Sequence, residues 1–144
     1  MARGTLEVLL VNAEDLSDND VFCKMNPYCI VKCRNEEKRS STASNLLEDI
    51  VAGGGTEPVW NEAFIFDISE GDYDVNIRII DQDKFSSDDF VGEVNIPLEA
   101  VFENGIIPPS QYRVVLMDKT YSGQIKVALK FTPKAVDVSH LYRL

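Results

Sequence analysis

Hydrophobic and polar residues alternate with a period of two along most of the chain. This is the period of a β-strand with one face against a core. The cleanest run contains Ile125, Val127, Leu129 and Phe131, which are separated by single lysines and an alanine. The pattern predicts about eight strands. They cover residues 6–10, 27–34, 38–42, 61–68, 75–79, 91–97, 112–117 and 124–131.

Short strands separated by turn residues are typical of an all-β sandwich, in which two antiparallel sheets pack face to face. Three segments depart from the strand pattern. Residues 44–57 predict a helical turn and a glycine hinge, residues 98–102 a short helix, and residues 134–144 a C-terminal tail. We therefore expect one domain over residues 1–133, with loops gathered at both ends of the sandwich, where binding residues collect.

Charge narrows the choice of partner. The chain has 144 residues and a net charge of −10. Nucleic acid is not expected as a partner, because phosphate contacts need clustered lysine and arginine. The same balance works against unaided attachment to an anionic membrane, which would need a local reversal of sign.

Targeting signals and cysteines indicate the compartment. No stretch approaches the roughly 18 apolar residues of a membrane span. Residues 1–4 lead directly into a strand pattern and match neither a secretory signal nor a myristoylation site. The odd set of Cys23, Cys29 and Cys33 then indicates free thiols in a reducing compartment. Cys29 and Cys33 lie four residues apart on a predicted strand, so we expect both to pack in the core.

Acidic residues concentrate in two predicted loops, residues 18–26 and 81–89. Asp81 and Asp83 are two apart at a strand end and point the same way, while Asp89 returns from the far side of the loop. Carboxylates crowded in this manner repel one another unless a hard cation lies between them, and Ca²⁺ takes about six to eight oxygen ligands. The alternative is a set of solvated turn residues. An EF-hand does not fit, because Ser86 stands where that loop needs glycine.

Several motifs, in order along nearly the whole chain, resemble the C2 domain family. They are Leu6-x-Val8 to Ala13-x-x-Leu16, Asn26-Pro27-Tyr28, residues 57–66, and Asp81-x-Asp83 followed by residues 89–92. In format the chain is similar to the small elicitor-responsive C2 proteins of plants. The resemblance implies an eight-stranded antiparallel β-sandwich of the C2 fold. It also implies type II topology, because the strand over residues 123–129 comes last, whereas an equivalent strand comes first in the synaptotagmin-like arrangement.

The resemblance assigns Ca²⁺ ligands to both acidic loops. The side-chain ligands it implies are Asp20, Asn26, Asp81, Asp83 and Asp89. The implied backbone carbonyl ligands are those of Asn19 and Gln82. Asn26 departs from the family's aspartate and lacks its charge, so we expect one firmly held ion and a weaker second one.

The implied function is Ca²⁺-dependent binding to anionic phospholipid, either phosphatidylserine or phosphoinositide. We expect a cytoplasmic monomer with a role in signalling or plant defence, which moves to the plasma membrane when Ca²⁺ rises. The loop tips would supply the membrane-contacting residues Val21, Phe22, Lys84 and Phe85. The basic surface with which the family binds phosphoinositides would consist of Lys32, Arg34, Lys38 and Arg39. Since Glu36 and Glu37 lie between these residues, a solvated strand face is the alternative.

A second function stays open, namely a Ca²⁺-independent C2 fold that binds a protein partner, and Asn26 supports it. An enzyme is not expected. The sequence has no Gly-x-Ser-x-Gly nucleophile motif, no phosphate-binding loop and no cysteine and histidine placed for nucleophilic catalysis.

Overall fold

The computed structural model describes residues 3–16, 25–43, 57–69, 71–72, 74–83 and 85–134. Within these ranges the chain forms eight strands and one short helix, α1 (Glu99–Asn104), which lies between the sixth and seventh strands. The strands are β1 (Arg3–Glu14), β2 (Pro27–Cys33), β3 (Glu36–Arg39), β4 (Val59–Ser69), β5 (Asp74–Asp81), β6 (Asp89–Pro97), β7 (Ile106–Val115) and β8 (Tyr121–Pro133).

The strands pair antiparallel in the order β3-β2-β5-β6-β7-β8-β1-β4. β6 and β7 share a single registered pair, Glu93 with Val115, so the sheet divides there into two four-stranded halves. The last strand, β8, lies between β7 and β1. The predicted eight-stranded antiparallel sandwich and its type II topology are confirmed.

The core follows the alternation of the sequence. Along β8, Ile125, Val127 and Leu129 are buried, while the residues between them are partly or fully exposed. Inward side chains from all eight strands except β3, together with Val101 of α1, form one hydrophobic cluster. Cys29 is among them, buried and free, as predicted. Burial of this apolar surface is the main stabilising contribution to a sandwich of this kind.

β7 starts at Ile106, six residues before the predicted strand. Pro108 and Pro109 explain why the sequence pattern misses this part. Proline has no N–H to donate to a neighbouring strand, and the register shifts between Ile107 and Ser110. The strand continues past the two prolines because β8 pairs with β7 on both sides of the shift.

The predicted short helix is present as α1, one residue later than expected at its start. No helix among the described residues is long and apolar enough to cross a membrane. The predicted helical turn and hinge within residues 44–57, and the predicted tail over residues 134–144, lie outside the described residues except for Glu57 and Lys134. The Lys134 N–H donates to the Arg3 carbonyl at 2.7 Å, so the beginning of β1 lies beside the end of β8.

The antiparallel order fixes which loops share an end. β1, β3, β5 and β7 all run in one direction, and the connections that follow them leave the sandwich at the same end. We call this the aspartate end, because the β5–β6 connection contains Asp83 and Asp88. The opposite end contains the β2–β3 turn and α1, and we call it the helix end.

Candidate functional site

Strand register brings carboxylates together at the aspartate end. Asp81 is the last residue of β5, and its registered partner is Asp89, the first residue of β6. Cross-strand partners present their side chains on the same face of a sheet. Asp83 follows Asp81 by two residues at the point where the strand ends. Three of the predicted Ca²⁺ ligands therefore come from one short stretch of the sandwich rim.

Asn26 joins this group from the preceding connection. Its backbone N–H donates to Asp81 Oδ1 at 2.9 Å, and its carbonyl accepts the N–H of Gln82 at 3.0 Å. These bonds extend the pairing of β2 with β5 by one residue beyond Pro27. Asn26 and Gln82, both predicted ligands, thus lie next to Asp81 although 55 residues separate Asn26 from Asp81.

The β5–β6 connection is held by hydrogen bonds to the carboxylate of Asp83. Asp83 Oδ1 accepts the Phe85 N–H at 2.8 Å, and Oδ2 accepts the Ser86 hydroxyl at 2.6 Å. The hydroxyl of Ser86, followed by the N–H of Phe85, lowers the pKa of Asp83 below its ordinary value. The exposed carboxyl is therefore ionised at neutral pH and available as an oxygen donor.

Asp88 closes the same connection. Its Oδ1 accepts the Asp83 N–H at 3.0 Å, and its Oδ2 accepts the Tyr28 hydroxyl at 2.7 Å. The Asp83 N–H, and then the Tyr28 hydroxyl, lower the pKa of the Asp88 carboxyl. The guanidinium of Arg39 lies 3.7 Å from the centre of the Tyr28 ring on the other side of this contact. A hydrogen bond therefore ties the loop to β2, and a cation–π contact links the same tyrosine to β3.

The donor set suits a hard divalent cation. Asp81, Asp83 and Asp89 offer carboxylate oxygens and Gln82 a carbonyl, and oxygen ligands of this kind are those that Ca²⁺ prefers. Among the described residues, no three acidic, histidine or cysteine side chains are already close enough together to hold a metal. The predicted ligands Asn19 and Asp20 lie outside the described residues. The described residues therefore offer donor chemistry that suits Ca²⁺, but they do not by themselves gather into a metal site.

Phe85 is the most exposed large apolar side chain of the described residues, with 97% of its surface accessible. It lies at the tip of the β5–β6 connection. The other predicted membrane-contacting residues, Val21, Phe22 and Lys84, lie outside the described residues. An aromatic ring in this position has no core to pack against and is free to enter another apolar phase.

The four residues of the predicted basic patch do not share one surface. Lys32 is exposed opposite Glu37 and lines, with Arg34 and Arg78, a concavity of about 600 Å³ on the outer face of β2 and β5. Three acidic residues line the same concavity, Glu37 among them. Arg34 Nε is 3.0 Å from Asp72 Oδ1.

Lys38 leaves the other face of the hairpin, where its ammonium lies 5.2 Å from the Phe66 ring and 3.4 Å from Glu36. Arg39 stacks on Tyr28, as described above. The fold therefore places Lys32 and Arg34 at one concavity. Arg39 shares the face of Lys32 but lies over Tyr28, and Lys38 lies on the opposite face of the hairpin.

Sequence reasoning missed the contact between Tyr28 and Asp88, which are 60 residues apart. No local pattern signals the bond, because it depends on the pairing of β2 with β5. The alternation along β2 indicated only that Tyr28 and Lys32 lie on the same face of the strand, because they are an even number of residues apart.

Comparison with known proteins gives a consistent result. The family model of the C2 domain matches residues 4–114. Elicitor-responsive protein 3 of Oryza sativa subsp. japonica is 46% identical over 134 residues, which cover 93% of this chain and 87% of the rice protein. The 16 kDa phloem protein 2 of Arabidopsis thaliana is 47% identical over 133 residues, covering 92% of this chain and 84% of its own length.

Solved structures of C2 domains also match the fold of this chain. A C2 domain-containing protein from an elicitor-responsive gene superimposes with a TM-score of 0.77 at 43% identity, covering 96% of this chain and 95% of its own. The two C2 domains of extended synaptotagmin 2, solved with calcium bound, give a TM-score of 0.72 at 22% identity, covering 91% of this chain and 46% of their own. At that lower identity the second likeness shows the fold alone.

Proposed function

The chain belongs to the C2 domain family, and from this premise we propose that it binds Ca²⁺ at its aspartate end and then attaches to anionic phospholipid membranes. One observation carries the proposal. Asp81 and Asp89 are registered partners at the rim from which Phe85 projects with 97% of its surface exposed. The proposed cation ligands and the proposed apolar anchor thus belong to the same end of the β5–β6 hairpin.

The proposed ligands are the predicted ones. The side chains are those of Asp20, Asn26, Asp81, Asp83 and Asp89. The carbonyls are those of Asn19 and Gln82. Asn26 contributes an oxygen without a charge, so we expect one firm ion and a weaker second one.

Electrostatics explain why membrane attachment would depend on the ion. With their carboxylates ionised, Asp81, Asp83, Asp88 and Asp89 repel an anionic leaflet. Bound Ca²⁺ would supply positive charge at this point and open coordination positions for lipid phosphate oxygens. Phe85 would then bury its ring at the interface, with Val21, Phe22 and Lys84 beside it. The protein as a whole stays acidic, because one or two Ca²⁺ ions offset only part of its net charge of −10, and only the aspartate end changes sign.

We place this activity in the cytoplasm, with movement to the plasma membrane when Ca²⁺ rises. A role in plant signalling or defence is supported by the names of the rice relatives, which are elicitor-responsive proteins. The choice of Ca²⁺ as the cation is supported by the oxygen donors of Asp81, Asp83 and Asp89. A binding module rather than an enzyme is the function that this arrangement supports.

A Ca²⁺-independent protein-interaction module is the second candidate. Two observations favour it. Asn26 replaces an acid, and the carboxylates of Asp83 and Asp88 already accept hydrogen bonds from their own loop and from Tyr28. A loop satisfied in this manner has an ordered structure without an ion. The two candidates differ in whether Ca²⁺ stabilises the protein.

Calorimetric titration of Ca²⁺, with and without phosphatidylserine vesicles, tests the proposal. We expect heat of binding in solution, a higher Ca²⁺ affinity with vesicles, and an equal strengthening of vesicle binding by Ca²⁺, because linkage is reciprocal. The Asp83→Asn, Asp89→Asn double variant should lose the heat. The matched control, Asp67→Asn with Glu99→Gln, removes the same charge from exposed positions away from this loop and should keep it.

Absence of both heat and a Ca²⁺-dependent rise in melting temperature in the unaltered protein would contradict the proposal. The protein-interaction module would then be the better explanation.

A further inference from the structure

A second surface at the aspartate end remains without a role. The β7–β8 connection, residues 116–120, leaves the sandwich at this end. We propose that this connection is an additional membrane-contacting loop, in which Met117 and Lys119, supported by Arg113 and Tyr121, bind the anionic phospholipid surface beside the Ca²⁺ loops. The inference rests on the proposed function and names further residues of the same membrane face.

One side of the connection abuts the end of β1. Gly123 has φ +77°, and a Cβ built on it would lie 2.5 Å from the Glu14 carbonyl oxygen and 2.6 Å from that of Asp15. Only glycine allows this approach. Gln124 Nε2 also donates to Glu14 Oε2 at 3.1 Å. The base of the β7–β8 connection therefore contacts the backbone from which the β1–β2 connection leaves.

The other side abuts the strand that follows the second acidic loop. A Cβ on Gly92, three residues after Asp89, would lie 2.4 Å from Val114 Cγ1 and 3.1 Å from the Val115 carbonyl oxygen. β6 and β7 meet in this region through the pair of Glu93 with Val115. The β7–β8 connection is thus wedged between the bases of the two loops proposed to hold Ca²⁺.

The connection is an ordered turn. The Leu116 N–H donates to the Thr120 carbonyl at 2.8 Å, and the Lys119 N–H donates to the Leu116 carbonyl at 3.0 Å. Asp118 Oδ1 accepts the Thr120 N–H at 3.0 Å. The one acid of the turn is thereby engaged within it, and Met117 and Lys119 flank it.

The side chains suit an anionic bilayer. Met117 is 75% exposed and Tyr121 is 56% exposed. The Arg113 guanidinium lies 4.0 Å from the centre of the Tyr121 ring. An apolar tip, a ring with a polar hydroxyl and two cations form the combination that binds at the headgroup level of anionic membranes. Ile106 is also exposed, at 59%, but it starts β7 at the helix end and so serves as a contrast.

Quenching of tryptophan fluorescence by brominated lipid tests whether a single residue enters the bilayer. Met117→Trp, Phe85→Trp and Ile106→Trp are each mixed with vesicles of phosphatidylserine and brominated phosphatidylcholine, with and without Ca²⁺. The native Trp60 is only 7% exposed, and the signal of the unaltered protein under the same conditions is subtracted. We expect Met117→Trp and Phe85→Trp to lose fluorescence when Ca²⁺ is added, and Ile106→Trp to keep it.

The affinity for vesicles provides a second test of the β7–β8 connection. Met117→Ala with Lys119→Ala should weaken Ca²⁺-dependent vesicle binding by about five- to thirtyfold, from the lost apolar burial and one lost cation. Its Ca²⁺ affinity without lipid should be unchanged, which separates this loop from the ion site. Ile106→Ala is the control and should bind vesicles like the unaltered protein.

The outcomes separate the two proposals. Quenching of Phe85→Trp without quenching of Met117→Trp would overturn the inference on this loop and leave the proposed function standing. Failure of the unaltered protein to bind vesicles in Ca²⁺ would overturn both.

Discussion

The aspartate end and the β2–β3 hairpin carry opposite charges, and they hold their charged side chains in different ways. At the aspartate end, Asp81 and Asp89 are adjacent because β5 and β6 are registered there. On the hairpin, Lys38 and Arg39 are neighbours in sequence, yet the first lies over Phe66 and the second over Tyr28. Charged residues that are registered partners on two strands lie on the same face, whereas charged neighbours along one strand point to opposite faces.

The largest effect should come from the apolar tip of the aspartate end. Phe85→Ala removes a ring that has no contact to lose in the free protein, so stability should hold while Ca²⁺-dependent vesicle affinity falls by about ten- to a hundredfold. Co-sedimentation with phosphatidylserine vesicles measures it. Ile65→Ala, at a residue 46% exposed on β4, is the matched control. Equal binding by both variants would show that the aspartate end is not the membrane face.

A smaller effect should divide the basic residues into two pairs. Lys32→Ala with Arg34→Ala should weaken binding to phosphoinositide vesicles in Ca²⁺ by about fivefold, because these two line one concavity. The effect is small because Arg34 is already paired with Asp72. Vesicle flotation assays of this variant and the unaltered protein measure the loss of binding.

The companion variant is Lys38→Ala with Arg39→Ala, which removes the same charge from residues that leave the hairpin on different faces. Its binding should change less than about twofold, since its cations are engaged with Phe66, Glu36 and Tyr28. Equal losses in both pairs would mean that net charge, and not the concavity, attracts the lipid.

The smallest effect should be that of pH on the acidic loop. Hydrogen bonds hold the pKa values of Asp83 and Asp88 below the ordinary carboxyl value. A carboxyl whose pKa is lowered by native hydrogen bonds contributes fully to stability above its ordinary pKa. That contribution is lost only as the pH falls through the lowered pKa. Ca²⁺ affinity should therefore change less than about twofold between pH 7 and pH 5.5. Calorimetry at the two pH values checks this, and a tenfold fall would contradict the assigned hydrogen bonds.

Alternation of residue types was enough to predict the sandwich, because each strand buries one face. It located Asp81, Asp83 and Asp89 at a strand end, since that inference needs only period two and a returning strand. It could not find the bond from Tyr28 to Asp88, which depends on which strands are neighbours. It also assigned Met117 to a strand over residues 112–117, whereas β7 ends at Val115 and Met117 lies in a turn. An apolar residue on a turn is indistinguishable by pattern from the last residue of a strand.

The hydrogen bond from the Lys134 N–H to the Arg3 carbonyl places the first and last described strands side by side at the helix end. Joining the chain there and opening it within residues 116–120 would leave every strand pair of the sandwich in place. The order of the strands along the sequence can therefore change while their order in the sheet stays the same. A circular permutant cut in that turn should fold to the same sandwich, in which the present last strand comes first.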